Sequence, residues 1–267
     1  MMTQIQRYIS DELTHFVGKD LPEKEEKYQL LINIVGSGWL THPPHIQDKK
    51  NSGGLSLSPH SLASENEMYS PEVICFCDIP LRDLNIHMDK YSLFGLSFRK
   101  LFLIPKGVNP VFYIAKGSYI KSWIDLDNPD KSVNISRSDH FDNMLKLYQD
   151  FINHLAIYFK DLFYQSPEVI GSQKLQNEIK QFQSQLFEIE RFLDFHIFSF
   201  MKFFDSSKKE NDPDNYYMER EWRMIGNLNF SIQDIYRVLL PREYAERFRK
   251  DIPEYIGQLS FSDPLNP

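Results

Sequence analysis

Apolar residues along the chain follow two different spacings. Short strand-like runs occur toward both ends of the chain, and long stretches with helical spacing fill its middle. Near the start, apolar positions recur every three or four residues over Lys24–Ser37, which predicts an amphipathic helix closed by Gly36 and Gly38. Short runs rich in β-branched and aromatic residues predict strands at 72–79, 95–98, 101–104, 110–115 and 216–225. These strands do not alternate regularly with helices, so the pattern predicts an α+β fold with a mixed, largely antiparallel sheet.

The middle of the chain keeps helical spacing over two long stretches, 139–164 and 174–204, which a short connector separates. Two antiparallel helices are the simplest interpretation. We therefore predict a helical hairpin at 136–206, inserted within a single α+β domain that spans 1–267. The second helix is apolar nearly all round at 195–204, which indicates burial on several sides. Aromatic stripes of this kind form core far more often than cofactor pockets.

The segment 41–70 is rich in Pro, Ser, Asn, His and Gly and has no sustained period, so it predicts a long loop. Loops of this length within compact domains are usually functional or mobile. His42, His45 and His60 lie in this segment without a fixed spacing, which is a weak basis for a metal site. We predict no metal.

Composition narrows the classes of function. The 267 residues carry a formal net charge of −7, which disfavours a general nucleic-acid binder because such proteins carry a basic surface. No signal-peptide pattern opens the sequence, and no run of about 18 apolar residues occurs. We therefore expect a cytoplasmic protein that does not interact with a membrane. Cys75 and Cys77 lie two residues apart on a predicted strand, where we expect reduced thiols rather than a disulfide or zinc ligands.

The sharpest candidate for chemistry is the charged pattern within 216–225. On a strand, Glu219, Glu221 and Arg223 point to one face, and Trp222 points to the other. If the charged face is wet, this is an ordinary solvated strand. If the face lines a cleft, two carboxylates roughly 7 Å apart with an arginine beside them could orient a sugar hydroxyl and stabilise a cationic transition state. The sequence leaves both interpretations open.

Two other places carry residues that suit ligand binding. Thr14 and His15 stand just before the first amphipathic helix, where a lone histidine is more often structural or exposed than functional. After the strand that carries the cysteines, Asp78 and Pro80 predict a turn, and Tyr91 follows a short helix. The structural interpretation of this second region is a buried strand, a turn and a helix.

Five strings of the sequence are specific as a set: ISDELTHFVG at 9–18, EVICFCDIPL at 72–81, HMDKYSLFGLSF at 87–98, NPVFYI at 109–114 and EREWRMI at 219–225. As a set they resemble the AbiGi-type abortive-infection proteins of bacterial phage defence. The resemblance covers roughly 9–120 and 216–240, and it covers the central helical segment poorly. It implies phage defence and a partner protein, since the family is described as the antitoxin of a two-gene system.

The order of a histidine near the first strand, a central tyrosine and a late Glu-x-Glu also resembles the ADP-ribosyltransferases, more remotely. That resemblance implies an ADP-ribosyltransferase-like sheet and NAD as substrate. His15, with Thr14 and Arg223, would bind NAD, and Tyr91 would stack on nicotinamide. Glu221 would stabilise the oxocarbenium-like transition state, which a fixed carboxylate favours by several kcal/mol.

Glu219 would then orient the acceptor. Tyr91 matches loosely, because it is not in a clear strand, and Tyr113 is a possible substitute. The serine-threonine-serine strand of the arginine-modifying type has no clear counterpart in this sequence. This interpretation requires His15 of the opening strand and Glu221 of the closing one to converge on one pocket.

Two hypotheses from different classes follow. The first is an NAD-dependent ADP-ribosyltransferase-like toxin of phage defence that modifies a nucleic acid or a protein. The second is a non-catalytic antitoxin or interaction protein that neutralises a cognate partner. A Glu221→Gln change separates them, because it should abolish toxicity and NAD turnover only under the first hypothesis.

Overall fold

The structure is a computed structural model that describes residues 10–42, 53–123, 132–209, 212 and 215–263. The chain forms two compact units. One, here called the sheet unit, combines Met1–Gly54, Glu72–Val111 and Lys208–Pro267. The other, here called the hairpin unit, combines Leu55–Pro71 and Phe112–Ser207. The helical hairpin predicted at 136–206 lies inside the hairpin unit.

The described strands are short and spread along the whole chain. In chain order they are β1 (Glu12–Phe16), β2 (Trp39–Leu40), β3 (Leu55–Leu57), β4 (Tyr69–Pro71), β5 (Val73–Cys77), β6 (Gly95–Arg99), β7 (Asn109–Pro110), β8 (Phe112–Ala115), β9 (Tyr119–Trp123), β10 (Ser132–Ser136), β11 (Met201–Phe204), β12 (Glu221–Ile225), β13 (Leu228–Asn229), β14 (Ile235–Leu240) and β15 (Gln258–Phe261). The α-helices are α1 (Lys24–Ser37), α2 (Asn85–Lys90), α3 (Lys100–Leu103), α4 (Arg137–Gln165), α5 (Pro167–Ile170), α6 (Gln173–Phe192) and α7 (Ala245–Asp251).

The sheet unit is built around a seven-stranded sheet in the order β15-β14-β6-β1-β5-β12-β7. Its pairs are antiparallel except for β14 with β15, so the predicted α+β class with a largely antiparallel sheet is confirmed. One face packs on α1 and forms a large core that includes Leu13, Leu31 and Phe98. Gly95 permits the close pairing of β6 with β1, because a Cβ there would lie 2.8 Å from the carbonyl oxygen of His15.

The predicted helix at Lys24–Ser37 is confirmed, and it ends as predicted. Gly38 takes the left-handed conformation, with a φ of 69°, and its backbone N–H donates to the carbonyl of Ile34. One shorter assignment is wrong. Residues 101–104, predicted as a strand, belong mainly to the one-turn helix α3, because Leu101 is exposed and Leu103 buried, without the alternation a strand requires.

The hairpin unit contains the two long helices that the sequence predicts, α4 and α6, joined through α5. The second stretch does not stay helical to residue 204. It passes through a π-helical turn at Leu193–Ile197 and a 3₁₀ turn into β11, which pairs in parallel with β8. The buried ring of Phe203 packs against Phe141 with the ring centroids 5.7 Å apart, so tertiary packing rather than helical periodicity decides this segment.

The segment 41–70, predicted as a loop, contains regular structure where the model describes it. Strands β3 and β4 form an antiparallel pair, and a 3₁₀ turn at Ala63–Glu65 connects them. His45 lies outside the described residues. Within the described residues, no helix is long and apolar enough to cross a membrane.

Candidate functional site

Four polar side chains form a row across one face of the central sheet. Thr14 on β1 and Glu221 on β12 both stand opposite Cys77 on β5, and Ser97 on β6 stands opposite Thr14. Directly opposite residues on antiparallel strands share a face of the sheet. The hydroxyls of Thr14 and Ser97 are 2.8 Å apart. This polar row lies on the face opposite the large core.

His15 lies on the other face. Side chains alternate along β1, so His15 points away from its neighbour Thr14 and hence away from Glu221. Its ring packs edge-on against Phe76 with the centroids 5.8 Å apart, and its Nδ1 lies 2.9 Å from the carbonyl oxygen of Cys75. The prediction that His15 and Glu221 converge on one pocket is therefore wrong, because the sheet separates them.

Glu219 does not continue the strand that carries Glu221, so the predicted strand at 216–225 is wrong in its first half. Residues Tyr216–Glu219 form a 3₁₀ turn, and Arg220 takes the left-handed conformation with a φ of 44° before β12 begins. The carboxylate of Glu219 is nevertheless buried near the polar row. It accepts hydrogen bonds from the hydroxyl of Tyr91 and from Nζ of Lys90, the latter at 2.8 Å.

Glu221 and Arg223 share one face of β12, as the sequence predicts for a strand. Both side chains are largely withdrawn from solvent, and Nε of Arg223 lies 2.6 Å from a carboxylate oxygen of Glu221. A charge-assisted hydrogen bond of this length is among the stronger polar contacts in proteins. The arginine that the sequence assigns to NAD binding is thus an internal partner of Glu221.

Tyr91 follows α2 and lies beside the polar row. Its ring stacks on Phe16 with the centroids 5.8 Å apart, and the rings of Tyr91 and His87 stack at 6.3 Å. The ammonium groups of Lys19 and Lys90 lie 5.0 and 5.4 Å from the ring centroid. Burial raises the pKa of Tyr91 far above its usual value, and Glu219 raises it further, so the hydroxyl stays protonated.

A third carboxylate of the sheet unit, Asp78, is also buried. Its side chain accepts a hydrogen bond from Nζ of Lys100 at 2.7 Å, and a guanidinium nitrogen of Arg220 lies 3.6 Å away. The backbone N–H of Asp78 donates to the carbonyl of Arg220. The sequence predicts only a turn at Asp78, since nothing in its local pattern reveals a cation 22 residues later.

Burial keeps two further titratable side chains of this region, Cys77 and His87, uncharged. Burial raises the pKa of the Cys77 thiol to about 12, so it is a neutral thiol at physiological pH. Burial also lowers the pKa of His87, although Glu219 opposes the shift. The Nδ1 of His87 is buried and has no hydrogen-bond partner within the described parts of the chain. Cys77 forms no disulfide bond.

The structure therefore brings Thr14, Tyr91, Glu219, Glu221 and Arg223 together on one side of the sheet and leaves His15 out. Sequence reasoning missed Lys90, although it adjoins Tyr91, because nothing in the sequence links it to a residue 129 positions later. Three buried carboxylates of the sheet unit, Asp78, Glu219 and Glu221, are each held by a cation of the same chain. Across the described residues, no group of three His, Cys, Asp or Glu side chains could hold a metal ion.

Comparison with known families is consistent with the sequence resemblance. A family model described as "Putative abortive phage resistance protein AbiGi, antitoxin" matches residues 67–251. This is more than half of the chain, which therefore belongs to the AbiGi family of abortive-infection phage-defence proteins. The match includes the central helical segment, which the resemblance from sequence strings covered poorly. Thr14 and His15 lie outside the matched residues.

Neither the curated proteins nor the solved structures include a match to this chain.

Proposed function

We propose that this protein is the antitoxin of a two-gene abortive-infection system and acts by binding and neutralising a partner toxin. The family description, matched over residues 67–251, carries the proposal. A protein that acts by binding needs a stable scaffold and a surface for its partner, and it needs no catalytic carboxylate.

The ion pairs of the sheet unit support a scaffold role for the carboxylates. Glu219 is engaged by Lys90 and Tyr91, and Glu221 by Arg223. Removing one partner of a buried pair leaves an uncompensated charge, which costs about 3–5 kcal/mol. Loss of either cation should therefore destabilise the fold, and the internal pairing accounts for the burial of these carboxylates without a ligand.

The test is direct binding between the purified chain and the toxin encoded in the same two-gene system. We expect a complex of fixed stoichiometry by size-exclusion chromatography with light scattering, and suppression of the toxin's activity at that stoichiometry. Glu221→Gln, which retains a hydrogen-bonding side chain, should bind the toxin within about threefold of the wild type. A toxin that stays active and unbound at saturating antitoxin contradicts the proposal.

A catalytic function is the second candidate, and one observation favours it. Thr14, Tyr91, Glu219, Glu221 and Arg223 lie on one side of the sheet, so five of the six residues predicted for NAD chemistry are neighbours in the fold. Two observations oppose it: His15 is on the other face, and the Tyr91 ring already packs against Phe16 and His87.

Mass spectrometry of lysate incubated with the purified protein and labelled NAD decides between the candidates. A non-catalytic antitoxin releases no nicotinamide and labels no acceptor, whether nucleic acid or protein. Transfer of label by the wild type, lost in Glu221→Gln, would establish the ADP-ribosyltransferase function instead. Thermal unfolding of both proteins controls for loss of the fold.

A further inference from the structure

The buried carboxylate of Asp194 differs from the other buried carboxylates of this protein. Among the described residues four carboxylates are buried, those of Asp78, Asp194, Glu219 and Glu221. Three of them each pair with a lysine or an arginine at 2.6 to 2.8 Å, whereas Asp194 has no ion pair within the described parts of the chain. Its Oδ1 is buried and has no hydrogen-bond partner there. A buried charge without a partner is costly, so Asp194 requires a separate explanation.

The backbone of Asp194 belongs to an unusual element of the hairpin unit. It lies in the π-helical turn Leu193–Ile197, which directly follows α6. Turns of this kind are rare and frequently occur at functional sites. The hydroxyl of Ser199 donates to the backbone carbonyl of Asp194 at 2.6 Å, which ties the turn to the segment that follows it. The carboxylate is therefore carried by an anchored piece of backbone.

Aromatic rings and a second unpartnered oxygen lie near this turn. The ring of Phe198, one turn after Asp194, packs against Tyr69 of β4 and Tyr148 of α4, with the centroids 5.1 and 5.5 Å apart. Tyr69 is held in place by Nε2 of Gln149, which donates to its hydroxyl at 3.0 Å. The hydroxyl of Tyr148 is buried and has no hydrogen-bond partner among the described residues. Two buried oxygens from two elements thus await a donor.

The charges in this place are negative. Burial raises the pKa of Tyr148, and the carboxylates of Asp194 and Glu190 raise it further. Burial also raises the pKa of Tyr69, on which the same two carboxylates act. Glu190 of α6, Tyr148 of α4 and Tyr69 of β4 are the described titratable groups that act on Asp194, and none of them carries a positive charge. Asp194, Glu190, Tyr69, Tyr148 and Phe198 are here called the Asp194 cluster.

The Asp194 cluster suits an organic cation. Tyr148, Glu190 and Phe198 are half-buried, so the cluster reaches the surface of the hairpin unit. An N–H donor entering there would satisfy the two unpartnered oxygens, and its positive charge would pair with the carboxylate. The faces of aromatic rings also attract ammonium and guanidinium groups. We propose that the Asp194 cluster binds one alkylammonium or guanidinium group, which is the charged group of a lysine or arginine side chain.

Two sources can supply this group: a side chain of a partner protein or a free amine. A partner toxin is the source to test first, because the proposed function brings it to this chain. The choice of source rests on the proposed function, whereas the chemistry of the cluster does not. The experiments therefore begin with the chain alone.

An NMR titration of the purified chain with butylammonium chloride at pH 7.5, against potassium chloride at equal ionic strength, tests the chemistry. We expect saturable shifts of the ring resonances of Tyr148 and Phe198 with a Kd in the roughly millimolar range of so small a ligand. Asp194→Asn should weaken binding by about 10-fold or more. The matched control Asp150→Asn removes an exposed carboxylate of α4 and should stay within about twofold of the wild type.

Three results would overturn the proposal: no saturable shift in the wild type, equal shifts with potassium chloride, or equal butylammonium binding by the two variants. A measurement on the wild type alone guards against a variant that fails to fold. Burial, and then Glu190, raise the pKa of Asp194 to about 6, so a proton competes with the ligand in acid. The affinity for butylammonium should therefore be about tenfold weaker at pH 5 than at pH 7.5. An unchanged affinity at pH 5 would also overturn the proposal.

The toxin identifies the source of the cation. Toxin binding that is about 10-fold weaker for Asp194→Asn than for Asp150→Asn would show that a toxin side chain enters the cluster. Equal toxin binding by the two variants would overturn the toxin as the source and assign the cluster to a free amine. A toxin that does not bind the wild type contradicts the proposed function, and the butylammonium titration then decides the chemistry of the cluster independently.

Discussion

The two units of this molecule treat their apolar and charged side chains differently. The sheet unit covers a large core that includes Phe94, Phe98 and Phe248, and it pairs its buried carboxylates with internal cations. The hairpin unit has a smaller core around Phe203 and leaves many large apolar residues of α4 and α6 in solvent. The sheet unit therefore covers its large apolar side chains within its own core, whereas the hairpin unit leaves a large apolar surface exposed.

The largest expected effect separates the buried core of the sheet unit from the exposed surface of the hairpin unit. Phe98→Ala should lower the free energy of unfolding by about 3–5 kcal/mol, because Phe98 is fully buried among Phe76, Phe102 and Phe230. The matched change Phe187→Ala on α6 should alter it by less than about 0.5 kcal/mol when measured at low protein concentration. Urea denaturation gives both values, and equal losses would erase the distinction between the units.

The second largest effect is expected from breaking a buried ion pair of the sheet unit. Lys90→Met leaves Glu219 without its ammonium partner and should cost about 3 kcal/mol of unfolding free energy. The control is Lys174→Met on α6, whose partner Glu178 is 3.9 Å away and exposed, where the loss should stay below about 0.5 kcal/mol. If both substitutions lower the free energy of unfolding by the same small amount, the ion pair of Glu219 does not matter for stability.

Smaller effects come from two titrating groups, one in each unit, that should respond to pH with opposite signs. Burial lowers the folded-state pKa of His87, so the unfolded chain binds its proton more readily and stability falls as pH drops below the ordinary histidine value. His87→Phe, which retains a ring beside Tyr91, should remove that part of the acid destabilisation. Lys90 and Glu219 are the charged groups facing His87 and are unchanged in this variant.

Asp194 of the hairpin unit should make stability depend on pH in the opposite direction. Burial, and then Glu190, raise its pKa from 3.8 to about 6, so the folded chain binds its proton more readily than the unfolded chain. Its contribution to stability is full below pH 4 and is lost as pH rises through about 6. Comparing urea midpoints of the wild type and Asp194→Asn between pH 4 and 7 checks the sign; a midpoint difference that does not change with pH contradicts it.

The sequence predicts those structural features that the local spacing of residues determines. The period of apolar residues identifies α1, α4 and α6, because a helix that packs on one side repeats every three or four residues. Alternation places Glu221 and Arg223 on one face of β12. Both follow from spacing alone.

What the sequence could not predict depends on contacts between distant residues. The strand β11 ends an apolar helical pattern because Phe203 packs against Phe141 and pairs with β8. The left-handed Arg220 removes Glu219 from the strand, and a non-glycine residue with this conformation gives no local signal. His15 fails as a partner of Glu221 because its register on β1, set by pairing with two other strands, points it into the core.

The growth of cells that express the partner toxin tests the central claim, that this chain neutralises by binding and not by catalysis. Doubling times are compared for cells with the toxin alone, with the toxin and wild-type chain, with the toxin and Glu221→Gln, and with the chain alone. We predict that the wild type and Glu221→Gln restore growth equally and that the chain alone does not slow it. Growth arrest by the wild-type chain alone, relieved by Glu221→Gln at equal expression, would contradict the account.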